Sequence, residues 1–468
     1  MDIDVSMVEK IVKDVMAVMN ANGSTSNSEE YNYGIFSNMN DAIEAADKAE
    51  KEYLKRPLSD RKKYIQVIRN IASSKDNLEL MSRRTVEETG MGNYEDKLIK
   101  NEVAALNSPG IEDLETKAIS GDDGLTTVDF SPFGVIGAIT PTTNPTETII
   151  CNSIGMIAAG DTVVFSPHPR AAKISADLIR MLNKGLEDAG APRNLIVTVE
   201  KPSLESTNTM MEHPAIRMLV ATGGPGIVKA VLSSGKKAIG AGAGNPPVVV
   251  DETANIEKAA RDIVNGASFD NNLPCTSEKE IIAVDSIADY LMFNMKKNGA
   301  YEIKDQDKLK QLTELVTKNN DPNKDFVGKS AQYILDKIGI KVDSDIRLII
   351  CEADKQHPFV QIELMMPILA LVRVKDVDEA IDFAVEVEHG NRHTALIHST
   401  NIDALTKMAK LIQTTIFVKN GPSYAGIGVG GEGYSTFTIA GPTGEGLTSA
   451  KSFARRRRCV LVGGLAVK

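Results

Sequence analysis

Cys275 stands in the run Ser268-Phe269-Asp270-Asn271-Asn272-Leu273-Pro274-Cys275-Thr276-Ser277-Glu278-Lys279, where a polar, asparagine-rich stretch and a proline precede a thiol. In a loop that leads into a strand, such a cysteine can present its sulfur to a cleft as a nucleophile. It can equally be a small buried core thiol, the usual fate of cysteine. A second stretch, Ile139-Thr140-Pro141-Thr142-Thr143-Asn144-Pro145-Thr146, ends an apolar run in a Thr/Pro-rich loop before a long helix. The Asn144 amide there can donate to a developing oxyanion, or it can simply cap the helix. A third, Ala221-Thr222-Gly223-Gly224-Pro225-Gly226, lies between a strand and a helix. Its glycines let a phosphate approach backbone N–H groups at the helix start, although the run lacks the GxGxxG dinucleotide fingerprint.

Elements of alternating type must hold these three loops. Residues 40–107 read as helical, with polar and apolar positions interleaved. Buried strands are then expected at 135–139, 162–165, 196–199 and 218–221, with helices such as 171–189 and 227–233 between or after them. A second alternating stretch starts near Pro246, with strands at 248–250, 281–284, 348–350 and 369–374. Such alternation predicts doubly wound parallel sheets, with a boundary at 240–247. Two short strand-like pieces, 125–129 and 459–462, fit neither unit and can pair as an arm. At the N-terminus Ser6 and Glu9 form a capping-box pattern, and Val8, Ile11, Val12, Val15, Met16 and Met19 recur at helical spacing. Gly23 and the polar run 24–30 then read as a flexible linker, so the start of the chain is an amphipathic helix on a tether.

Composition narrows the function class. A net charge of -10 argues against a nucleic-acid partner, whose phosphates demand a basic surface. The one basic block, Arg455-Arg456-Arg457-Arg458, is expected as a strand-end or interface feature. No apolar stretch is long enough to span a bilayer. Cys151, Cys275, Cys351 and Cys459 show neither metal spacing nor a disulfide framework and read as reduced thiols of a cytosolic protein. Cys151, Cys351 and Cys459 are given structural roles, and no metal site is indicated.

The motifs, taken in order, resemble the aldehyde dehydrogenase superfamily. Within it the chain is similar to the CoA-acylating enzymes for acetaldehyde, propionaldehyde and butyraldehyde, which often reside in bacterial microcompartments. The resemblance spans nearly everything after Ile35. It implies that Cys275 is the nucleophile and Asn144 the oxyanion donor, at the end of a cofactor-binding loop formed by Thr140, Pro141, Thr142 and Thr143. It further implies that Ser166, Pro167, His168 and Pro169 hold the adenosine ribose, and that Thr222, Gly223 and Gly224 meet the phosphates. Glu363, in Glu363-Leu364-Met365-Met366-Pro367, matches the glutamate that contacts the nicotinamide ribose. His393 lies in a His-Thr-Ala stretch like that of acylating members. It is a candidate to deprotonate CoA with a pKa near neutrality, or to orient a loop.

Two departures bear on the reaction. Hydrolytic members carry a glutamate in a Glu-Leu-Gly-Gly-Lys segment that activates water, and here Gly240 stands in its place. Acyl transfer to CoA is therefore expected rather than release of an acid. Ser166 replaces a ribose-binding lysine, which leaves NAD and NADP both open as cofactor. The implied fold is α/β and aldehyde dehydrogenase-like: a Rossmann-type cofactor domain (35–121 and 134–245), an α/β catalytic domain (246–452) and a small β oligomerisation arm (122–133 and 453–468). Residues 1–22 are expected as a targeting helix and 23–34 as its linker. The expected protein is a cytoplasmic homodimer or homotetramer inside a microcompartment, docked on a shell protein or partner enzyme through that helix. Its substrates would be a short-chain aldehyde, NAD(P) and CoA. The rival readings are an acyl-phosphate reductase of the same superfamily and a largely non-catalytic microcompartment interaction protein.

Overall fold

The computed structural model describes residues 31–465. The amphipathic helix expected over 1–22, and the linker up to residue 30, lie outside them. Helices Met39–Tyr53, Leu58–Ala72, Lys75–Thr89 and Tyr94–Asn107 fill the stretch read as helical. Beyond it, apolar runs become strands buried at every position, as in Val135–Thr140, Thr162–Pro167 and Ile196–Val199. Burial on both faces is the pattern of a parallel sheet covered by helices.

Two such sheets form. The first has six parallel strands in the spatial order Ile35–Phe36, Ile196–Val199, Thr162–Pro167, Val135–Thr140, Ile216–Thr222, Lys237–Ala241. The second has seven, in the order Ala300–Glu302, Leu348–Glu352, Ile368–Val374, Glu280–Val284, Pro247–Val250, Thr394–His398, Ile416–Lys419. One apolar cluster runs through both, from Ile136 and Phe165 in the first to Val248, Ile281 and Leu371 in the second.

In the first sheet the chain proceeds from Val135–Thr140 outward in one direction, then returns to its other side with Ile216–Thr222. That reversal leaves a crevice beyond the carboxyl ends of these two neighbours, the usual ligand position in open α/β sheets. The loops after Thr140 and Thr222 are the ones that line it.

The pieces expected at 125–129 and 459–462 are the middles of longer strands. Gly124–Pro132 pairs antiparallel with Lys117–Gly121 on one side and Ala454–Val462 on the other. The arginine block lies inside the last strand rather than at its end, with Arg457 opposite Asp129 and Arg456 opposite Phe130. Alternation across the strand sends successive arginines to opposite faces, which relieves their repulsion. Cys459 likewise lies mid-strand, and Cys351 lies within Leu348–Glu352 rather than after it. Among the described residues, no helix is long and apolar enough to cross a membrane.

Candidate active site

Asn144 occupies the N-cap position of helix Pro145–Ala159, but its side chain makes no capping hydrogen bond. The amide Nδ2 donates to Thr143 Oγ1 at 3.1 Å, and the buried Oδ1 has no partner. One N–H of the amide is left for a ligand. Thr140 also buries an unpartnered hydroxyl at the start of the loop, while its carbonyl accepts from the His168 N–H at 3.1 Å.

The asparagine-rich stretch before Cys275 is not the exposed polar loop its composition suggests. Asp270 and Asn272 are buried. Asp270, Asn271 and Asn272 adopt φ values of +48°, +55° and +65°, the left-handed region that Asn and Asp tolerate best. Backbone shape thus explains the residue types. Asp270 is fixed from several sides. Its Oδ1 accepts from the Asn93 N–H at 2.9 Å, and its own N–H donates to Asp96 Oδ2 at 2.7 Å. Its Oδ2 lies 3.0 Å from Lys97 Nζ and 2.6 Å from Lys100 Nζ.

Those lysines reach the other loop as well. Lys97 Nζ donates to Thr143 O at 3.4 Å, and Lys100 Nζ pairs with Glu147 at 3.0 Å, one turn into the helix that Asn144 begins. All four charged side chains are fully buried. Burial pulls Lys100 down, but Asp270 and Glu147 outweigh it and hold the ammonium above its ordinary value. Lys97 is lowered by burial, with Asp270 opposing. This network staples the Asn144 loop to the Cys275 loop.

Cys275 sits at the amino end of strand Glu280–Val284. Three neighbouring strands contribute at the same edge: Gly244 before Pro247–Val250, Glu363 before Ile368–Val374, and His393 before Thr394–His398. Gly244 is the spacer, since a Cβ there would lie 2.8 Å from His393 Cγ and 3.1 Å from Cys275 O. Burial pushes the Cys275 thiol up to about 12, the Glu363 carboxylate adds to this, and Lys279 and Lys100 pull it back. Glu363 is itself raised to about 7 by burial, against Lys279 and the Gly244 N–H, and its Oε1 has no partner. His393 departs from the near-neutral titration expected of it. Burial, with Lys279 nearby, lowers it to about 4. Its Nδ1 meets Thr394 Oγ1 at 2.9 Å and its Nε2 is unpartnered.

The remaining predicted positions lie at or near the carboxyl ends of first-sheet strands. Thr222 Oγ1 lies 2.8 Å from Thr438 Oγ1, and Gly223 N–H donates to Ala241 O at 3.1 Å. Gly224 precedes helix Pro225–Leu232, whose N-terminus has no side-chain cap, and a Cβ at Gly224 or Gly226 would meet nothing within 4 Å. Free N–H groups facing open space suit a diphosphate. Ser166 Oγ meets Thr207 Oγ1 at 2.8 Å, next to Pro167; His168 and Pro169 are exposed. Gly240 is buried by packing: a Cβ would fall 2.7 Å from Val228 Cγ1. All four cysteines are free, and among the described residues no cluster could hold a metal ion.

The profile of the aldehyde dehydrogenase family matches residues 16–449. The chain belongs to the aldehyde dehydrogenase family. A CoA-propanoylating propanal dehydrogenase of Salmonella typhimurium is 47% identical to it over 466 residues, covering 99% of each chain. The solved propionaldehyde dehydrogenase of Rhodopseudomonas palustris, with bound CoA and an acylated cysteine, is 69% identical and covers 94% of this chain and 100% of its own, with a TM-score of 0.93. A propionaldehyde dehydrogenase from the fucose utilisation microcompartment of Clostridium phytofermentans is 54% identical, covering 93% and 100%, with a TM-score of 0.91.

Sequence reading of this aldehyde dehydrogenase passed over Lys97, Lys100, Glu147, Asp270, Gly244 and Lys279. A signal existed for the first two: Lys97, Lys100, Asn101 and Ala104 recur at the spacing of a buried helix face. The burial of His393 has a measurable consequence. A histidine kept neutral by the fold binds its proton only in the unfolded chain between about pH 6.5 and pH 4, so its stabilisation is complete above that window and is lost as pH falls through it. His393→Gln removes this dependence. In urea titrations at about pH 7 and about pH 4.5, the variant should lose less stability on acidification than the wild type, by on the order of 2 kcal/mol. Equal losses would contradict the buried, neutral imidazole.

Proposed function

We propose that the chain is a CoA-acylating aldehyde dehydrogenase that converts a short-chain aldehyde, NAD(P)+ and CoA into acyl-CoA and NAD(P)H through a thioester on Cys275. The observation that carries this reading is at Gly240. Where hydrolytic members place a water-activating glutamate, strand Lys237–Ala241 packs on Val228 with no room for a side chain. Without a positioned base, water is a poor nucleophile toward a thioester. A thiol with a pKa near ~8.5 supplies some thiolate unaided. The acylated cysteine and bound CoA of the Rhodopseudomonas palustris relative agree with that order of events.

The first half of the reaction begins when the Cys275 sulfur, having lost its proton, adds to the aldehyde carbon. The free N–H of Asn144 and the Cys275 backbone N–H donate to the resulting oxyanion. When bound, a nicotinamide would supply the acceptor for the hydride that leaves as the carbonyl re-forms. Thr222, Gly223 and Gly224 would hold the diphosphate, Ser166, Pro167, His168 and Pro169 the adenosine end, and Glu363 the nicotinamide ribose. Cys275 keeps the acyl group. In the second half the deprotonated CoA sulfur attacks the acyl carbon, Asn144 again holds the oxyanion, and Cys275 leaves as thiolate. In the tautomer whose Nδ1–H donates to Thr394 Oγ1, His393 offers its unpartnered Nε2 to the incoming thiol as a hydrogen-bond acceptor; its low basicity suits orientation better than proton removal. Every step is reversible, so acyl-CoA reduction is the same chemistry.

The division into a cofactor domain (35–121 and 134–245), a catalytic domain (246–452) and an oligomerisation arm (122–133 and 453–468) is supported by the two parallel sheets and the separate antiparallel one, except that Lys117–Gly121 pairs into the antiparallel sheet and goes with the arm. The last strand exposes Val460, Leu461 and Val462, apolar surface suited to pairing with a second copy in a homodimer or homotetramer. Sedimentation of the full chain distinguishes those states from a monomer. Residues 1–22 target the chain to a microcompartment, supported by the spacing of apolar residues in their sequence and by the microcompartment origin of a relative.

Cys275→Ala is expected to abolish NADH formation from propanal, and wild-type turnover is expected to require CoA. CoA-dependent activity in the alanine variant, or sustained turnover without CoA, would contradict the mechanism. Deleting residues 1–20 should leave kcat and KM unchanged while ending co-purification with microcompartment shells. A truncated chain that unfolds, or stays with the shell, would contradict the encapsulation role.

A further inference from the structure

Three lysines are buried among the described residues: Lys97, Lys100 and Lys279. The first two are ion-paired with Asp270, and Lys100 also with Glu147. Among the described residues, Lys279 has no carboxylate oxygen within 4.0 Å. Its ammonium is held only by neutral oxygens: Asn272 Oδ1 at 2.6 Å, Asn272 O at 3.2 Å and Pro274 O at 3.4 Å. An unpaired buried cation is costly, and such groups concentrate at functional sites.

Pro274 O belongs to the peptide whose N–H is that of Cys275. The ammonium is therefore tied to the peptide that presents an N–H toward the oxyanion. We infer that Lys279 is an electrostatic positioning residue of the Cys275 site: its tethered ammonium favours the Cys275 thiolate and strengthens the Cys275 N–H as an oxyanion donor. The inference rests on the proposed role of Cys275 as nucleophile.

Several ionisable groups share this field. Cys275 faces Lys279, Lys100 and Glu363, and Lys279 faces Cys275, Glu278, Glu280 and Glu363. Glu278 and Glu363 are raised to about 7 by burial, and Glu280 is raised well above its usual range. Glu388 adds to the rise of Glu280, and His393 is held neutral beside Lys279. Below about pH 7 Glu278 and Glu363 therefore stay largely protonated, and above it Glu363 ionises and opposes Lys279 at the thiol. Lys279 itself is lowered by burial, opposed by Glu363 and Cys275. Anchoring on three oxygens, each an acceptor only, favours the ammonium, which has three donors.

Alkylation of Cys275 by iodoacetamide, followed by peptide mass spectrometry in the full chain across a pH series, tests this directly. Lys279→Gln keeps donors for Asn272 but removes the charge. Its pH–rate profile should move upward by about one unit, giving roughly tenfold less thiolate at any pH below the midpoint. Lys279→Arg should restore the wild-type profile. Asn272→Asp leaves Lys279 in place, sets an anion against it, and should shift the profile the same way. An unmoved profile in a folded Lys279→Gln or Asn272→Asp protein would overturn the inference. Failure of the Cys275 reading shows separately, as wild-type protein that still forms NADH after Cys275 is fully alkylated.

Discussion

Lys97, Lys100, Glu147 and Asp270 lose their water together where three segments of the chain meet. The helix Tyr94–Asn107 brings both cations, the helix after Asn144 brings one anion, and the loop before Cys275 brings the other. Removing one partner of such a buried group strands the rest and costs about 3–5 kcal/mol. The network therefore penalises any arrangement in which the Asn144 loop and the Cys275 loop separate. It also stabilises a backbone that would otherwise relax, because Asp270, Asn271 and Asn272 are all left-handed and such residues cost of order 1–3 kcal/mol each. Bonds from Asn93 and to Asp96 fix Asp270 in that conformation. Loops contributed by different sheets, those of Asn144 and Cys275, are thus held together by electrostatics, not by sequence proximity.

The two sheets serve the site from opposite ends. The first offers the carboxyl ends of Val135–Thr140 and Ile216–Thr222, where loops diverge and a dinucleotide fits. The second offers the amino ends of four adjacent strands, carrying Cys275, Gly244, Glu363 and His393. Dry surroundings set the charge states there. Thiol, carboxyl and imidazole are each pushed toward their neutral forms by burial. Neutral groups wait without attracting water. Among the buried cations, Lys100 is held charged by Asp270 and Glu147, whereas Lys279 makes no ion pair among the described residues.

Much of this was legible in the sequence, and the reasons differ by element. Strands such as Ile196–Val199 and Glu280–Val284 announced themselves because both faces are buried and the residues are β-branched. Lys237–Ala241 and Thr394–His398 escaped notice, since a lysine, a glycine and a histidine break the apolar run. Chain order of the motifs pointed to Cys275, Asn144 and Glu363. The ionic network stayed hidden because charged residues are read as surface, and only spacing hints that Lys97 and Lys100 face inward. His393 was read as near-neutral because a sequence carries no desolvation. The Asn144 cap was a reasonable alternative, and the structure sets it aside, since its side chain makes no capping bond and its amide oxygen has no partner.

The central claim is that the acyl group rests on Cys275 until a thiol collects it. Mass spectrometry of the Cys275 peptide after incubation with propanal and NAD+ in the absence of CoA tests it most directly. The account predicts a propanoyl adduct on Cys275 alone, discharged as propanoyl-CoA when CoA is added. An unmodified Cys275, or an adduct lost to free propanoate without CoA, would contradict it.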